Sequence, residues 1–118
     1  MVRNVLDDAH VHPDIRERLS GYQADLVREV QAAVASHRIV VVGMRQNPFP
    51  GKARRLLRDK GFAHHYLEYG SYLSEWRRRL ALKLWTGWPT FPMIFVDGVL
   101  IGGYSDLERL IEKGELKP

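Results

Sequence analysis

The chain has 118 residues, 45% of them hydrophobic and 27% charged, with a formal net charge of +4. That is enough chain for one hydrophobic core and too apolar for a disordered tail, so a single soluble globular domain over residues 1–118 is expected. It contains no cysteine, which excludes a disulfide framework, a Cys-ligated zinc or iron–sulfur centre held by this chain alone, and a thiol nucleophile. No signal-peptide pattern and no apolar run near the roughly 20 residues of a membrane span occur, so a cytoplasmic location is expected, with no membrane partner.

Residues 1–12 are polar and mixed and read as a loosely held arm. From His12-Pro13-Asp14 a helical pattern begins, with Ile15, Leu19, Tyr22, Leu26, Val30, Ala33 and Val34 on one face; Gly21 is a candidate break between a short and a longer helix. These first 36 residues form an arm and helical extension to a core over 37–118. Arg38-Ile-Val-Val-Val-Gly43 is a β-branched run and a buried-strand candidate. The turn Gln46-Asn-Pro-Phe-Pro-Gly51 leads into a helix ending at Lys60, before Gly61. Ala63 to Glu68 is a second strand candidate, and Ser71 to Leu84 a helix with Tyr72, Trp76, Leu80 and Leu84 in register. After the loop Gly87-Trp-Pro-Thr-Phe-Pro92, strands Met93–Val96 and Val99–Ile101 flank the hairpin signal Asp97-Gly98. A last helix is placed from Ser105 to about Gly114, with Ser105 and Glu108 at capping-box spacing.

This order predicts an α/β fold with a mixed four-stranded sheet, parallel first and antiparallel at its end, and helices on both faces. Two basic clusters, Arg77-Arg78-Arg79 with Lys83 and Lys52 to Lys60, read as solvated helix faces and not as a nucleic-acid surface. His10 and His12 with Asp7 and Asp8 are a formal metal set in a terminal arm, but a solvated segment is the plainer reading. His64 and His65 alternate across a strand and cannot easily share an ion.

The succession of elements, with Trp88-Pro89-Thr90-Phe91-Pro92, Asp97-Gly98 and Gly102-Gly103 in order, resembles the thioredoxin-like fold of the glutaredoxins, the monothiol branch in particular, over roughly residues 30–116. The family's active-site tetrapeptide, Cys-Pro-Tyr-Cys or Cys-Gly-Phe-Ser, falls without a gap on Asn47-Pro48-Phe49-Pro50. The cysteine is thus replaced by Asn47 and the second position by Pro50. Thiol–disulfide exchange needs a thiolate, which an asparagine amide cannot supply, and neither Asn47 nor Met44 replaces a cluster ligand. Glutathione-dependent oxidoreductase activity, which the resemblance implies, is therefore chemically disfavoured, and no catalytic residue is assigned.

Binding remains. Asn47 suits a helix N-cap with Pro48 at the first helical position, whether as a plain helix start or as part of a ligand site. The resemblance implies that Pro92 is cis, which would turn the Phe91 backbone towards the site, and that glutathione's γ-glutamyl end meets Gly103, Ser105 and Asp106. It further implies basic contacts to the glycine carboxylate, for which Arg45, Lys52 and Arg79 are candidates; Phe49 completes the set. Trp88 reads as structural, packing beneath the loop. The expected role is binding or regulation through a glutathione-shaped or peptide-shaped groove. The alternatives are a protein-interaction scaffold using the N-terminal helix with Trp76 and Trp85, and, more weakly, a glutathione transferase-like activity.

Overall fold

The computed structural model describes residues 3–118. Helix α1, Pro13–Gly21, starts with the His12 ring accepting the Asp14 N–H at 3.1 Å, and α2, Ala24–Ser36, follows a break at Gln23, whose φ is 51°. The break at Gly21 therefore falls where the sequence places it. Strand β1, Ile39–Gly43, leads into α3, Pro48–Asp59; then come β2, His65–Glu68, α4, Trp76–Thr86, β3, Met93–Val96, β4, Val99–Gly102, and α5, Tyr104–Glu112. The sheet order is β2-β1-β3-β4, with β1 parallel to β2 and antiparallel to β3, and β3 antiparallel to β4.

Strand β1 is buried on both faces, which is why it reads as an unbroken β-branched run. Val40 and Val42 point into a core with Leu26, Val30, Leu82, Met93 and Phe95, under α2 and α4. Ile39 and Val41 point into a second core with Ala53, Leu57, Ile94 and Leu107, under α3 and α5. The thioredoxin-like α/β architecture expected from the sequence is the one observed.

Four local expectations need correction. The arm stays exposed over residues 3–10 but is anchored at two points: an Arg3 guanidinium N–H donates to the Thr86 carbonyl at 3.0 Å, and Val11 is buried. Strand β2 begins two residues later than expected, at His65. Helix α4 begins at Trp76 and not at Ser71, because residues 71–74 close a turn in which Ser74 Oγ accepts the Ser71 N–H, and Glu75 takes a left-handed φ of 56°. Helix α5 is capped at Gly103 and not at Ser105: Asp106 Oδ2 accepts the Gly103 N–H at 2.9 Å. That cap needs Gly102, whose φ is 114° and where a Cβ would fall 2.3 Å from Asp106 Oδ2.

Candidate functional site

The loop after β1 brings the start of α3 against the loop before β3. Asn47 is the N-cap of α3, and its Oδ1 accepts the Phe49 N–H at 3.0 Å. Its Nδ2 donates to the Phe91 carbonyl at 3.1 Å. One side chain thus joins the helix start to a segment 44 residues away. Pro50 is fully buried, and its ring lies where a Cβ at Gly43 would fall 2.7 Å from its own Cβ. The second family position is therefore filled by a packed ring.

The Phe91–Pro92 peptide bond is cis, as expected. The Phe91 N–H has no partner among the described residues. A Cβ at Gly103 would lie 3.5 Å from the Pro92 carbonyl oxygen, so the start of α5 stands directly beside this loop. Between the three elements runs an open groove of about 450 Å³, lined by Asn47, Phe49, Phe91, Pro92, Gly103, Ser105 and Asp106 among the expected residues. Sequence reasoning did not assign Pro48, Tyr72, Trp88, Thr90 and Tyr104, which also line it. Tyr72 was masked by its helical register with Trp76. Trp88 is a wall of the groove as well as a packing residue, and its Nε1 is buried with no partner among the described residues. Tyr104 donates its hydroxyl to Glu108 at 3.1 Å, and that bond raises its pKa.

Three basic candidates do not reach the groove. Arg79 is buried, and its guanidinium donates to the Tyr69 carbonyl at 3.1 Å and to the Ser74 carbonyl. It holds the turn before α4 and is neither a ligand contact nor part of a solvated charge run. Arg45 stands outside the lining and approaches Glu68 at 4.0 Å. Lys52 places its ammonium 5.0 Å from the Phe49 ring centroid and lines a separate depression with Arg55, Asp59 and Tyr104. Elsewhere, Asp7 and His12 cap their own helical turns, and no group of three metal-ligating side chains occurs among the described residues. No helix among them is long and apolar enough to cross a membrane.

The chain belongs to the glutaredoxin family, whose profile matches residues 39–101. It is 43% identical over 103 residues to a glutaredoxin-like protein of Dictyostelium discoideum, covering 87% of this chain and 84% of that one. Wheat glutaredoxin superposes with a TM-score of 0.69 at 28% identity, over 80% of this chain and 87% of that one. A buckwheat glutaredoxin–glutathione complex superposes at 0.70 over 86% and 88%; at 24% identity this likeness concerns the fold alone.

Proposed function

We propose that this glutaredoxin-family chain binds glutathione, or an extended peptide of similar size, in the groove and performs no thiol exchange there. The observation that carries the reading is the unpartnered Phe91 N–H beside a cis proline, at a residue that lines an open groove together with the first turn of α5. An extended ligand pairs its backbone with that N–H, while a carboxylate sits on the first-turn amides of α5, where the helix dipole favours negative charge. Asp106 spends Oδ2 on its cap, and its Oδ1, 3.9 Å from Arg109, is left to meet a ligand ammonium. The glutathione named in the buckwheat complex agrees in kind with this ligand.

The chain offers no sulfur nucleophile, so a ligand disulfide stays intact. Calorimetric titration with reduced glutathione tests the reading, beside a glutathione-coupled disulfide reduction assay. Saturable millimolar or tighter binding without turnover is expected. Absence of binding at millimolar ligand removes the groove reading, and turnover removes the chemical one.

A scaffold for protein contact is a second reading, favoured by the exposed Tyr72, Leu73 and Trp76, with Leu73 90% exposed. Partner capture that persists when the groove is saturated with glutathione would favour it.

A further inference from the structure

The two helix starts that face the groove differ in what they offer a ligand. In the first turn of α3, Pro48 and Pro50 carry no N–H, and the Phe49 N–H is spent on Asn47 Oδ1 at 3.0 Å. The Asn47 amide is turned away to the Phe91 carbonyl. From Pro48 to Pro50 this helix therefore gives no donor to an anion, although its dipole points the favourable way. In the first turn of α5, Tyr104, Ser105 and Asp106 all carry N–H groups without an intrahelical acceptor.

The side walls follow the same division. At the α3 end stand the Pro48 ring, the Phe49 ring at 45% exposure and the Tyr72 ring at 63%. Phe49 tilts against Tyr104 with ring centroids 6.2 Å apart, and the Tyr104 hydroxyl is already bound to Glu108. Despite that contact, Phe49 and Tyr72 both remain exposed large apolar residues.

We propose that the groove selects a ligand that is anionic at the α5 end and neutral and apolar at the α3 end. For a glutathione-like ligand, this is an S-substituted thioether in preference to the free thiol or to a group charged at sulfur. The inference rests on the groove reading above, with the γ-glutamyl carboxylate on the α5 amides and the middle residue paired to the Phe91 N–H. The sulfur then runs towards Asn47, Phe49 and Tyr72. A thiolate or sulfonate there loses water and gains no N–H from the helix start, and the Lys52 ammonium, 5.0 Å from the Phe49 ring centroid, lies outside the groove lining, whereas an alkyl group covers three exposed rings.

The test is a titration of the isotope-labelled chain with S-hexylglutathione, reduced glutathione and glutathione sulfonate, read from backbone amide shifts. S-hexylglutathione is expected to bind about tenfold more tightly than glutathione, which the burial of about two methylenes supplies. The sulfonate is expected to bind more weakly than either. Tyr72→Ala is expected to lower the hexyl-to-glutathione ratio several-fold. A ratio near one in the parent, hexyl-induced shifts confined to sites outside the groove, or a sulfonate that binds most tightly overturns the selectivity and leaves the groove reading standing. Failure of all three ligands to shift Phe91 and Gly103 to Asp106 overturns the groove reading itself.

Discussion

Replacing Asn47 by alanine removes two hydrogen bonds with different partners. The first is the cap on the Phe49 N–H, and loss of such a cap costs about 1 kcal/mol. The second is the bond from Nδ2 to the carbonyl of the buried Phe91, and its loss costs about another 1 kcal/mol. Asn47→Ala should therefore destabilise the chain by about 2 kcal/mol, a fall in Tm on the order of 8 °C for a domain of this size. Asn47→Asp separates the two. Its carboxylate still accepts the Phe49 N–H and suits the helix N-terminus, but it has no donor for the Phe91 carbonyl, so about 1 kcal/mol should be lost. Urea denaturation of the three proteins measures the differences directly, and an unchanged slope confirms that the same surface is exposed. An alanine variant within about 0.5 kcal/mol of the parent would refute the idea that Asn47 clamps the helix to the loop. Equal loss in the alanine and aspartate variants would show that the cap contributes nothing.

Arg79→Ala leaves the Tyr69 and Ser74 carbonyls without their donor, and should cost on the order of 3 kcal/mol with faster hydrogen exchange across residues 70–75; a surface-like effect under about 0.5 kcal/mol would contradict its burial. Gly102→Ala should cost at least about 2 kcal/mol, because its Cβ falls inside the Asp106 cap at a positive φ, whereas Gly103→Ala should stay within about 1 kcal/mol, and similar losses at both would contradict that account. Burial lowers the pKa of His64, with Arg54 and Arg58 acting in the same direction against the Phe62 backbone bond, so its folded form takes up its proton later than the unfolded chain. Stability from this group is present above about pH 6.5 and is lost as the pH falls through the lowered folded value; a His64→Gln variant with an unchanged acid limb would argue against it. Tyr66 is pushed up to about 12 by burial and the Glu68 bond, so its contribution is intact below about pH 10 and is lost as the pH rises towards 12, a limb that Tyr66→Phe should flatten.

The parts of the fold that were legible in the sequence are those fixed by local chemistry. The β-branched run of β1, the Asp97-Gly98 hairpin, the Asn47-Pro48 helix start and the break after Gly21 each depend on neighbours a few residues away. The cis bond at Pro92 came from the resemblance and not from spacing. Arg79 was misread because a triple arginine looks like a solvated face; only the turn at 71–74, closed by the left-handed Glu75, folds two carbonyls over its guanidinium. That same turn moves Tyr72 out of the helix and into the groove wall. The cap of α5 was displaced by two residues because Asp106 reaches back to Gly103 only when Gly102 adopts a positive φ. The tie from Asn47 to Phe91 joins residues 44 apart, and no local pattern announces it. Its effect on the site is large, since it consumes the side chain at the position where the family places a reactive sulfur.

The central claim is that the groove is kept while the nucleophile is gone, and a titration of the labelled chain with reduced glutathione tests it most directly. The account predicts saturable amide shifts at Phe91 and from Gly103 to Asp106, with glutathione recovered unchanged. No shift at those amides with millimolar glutathione would contradict it.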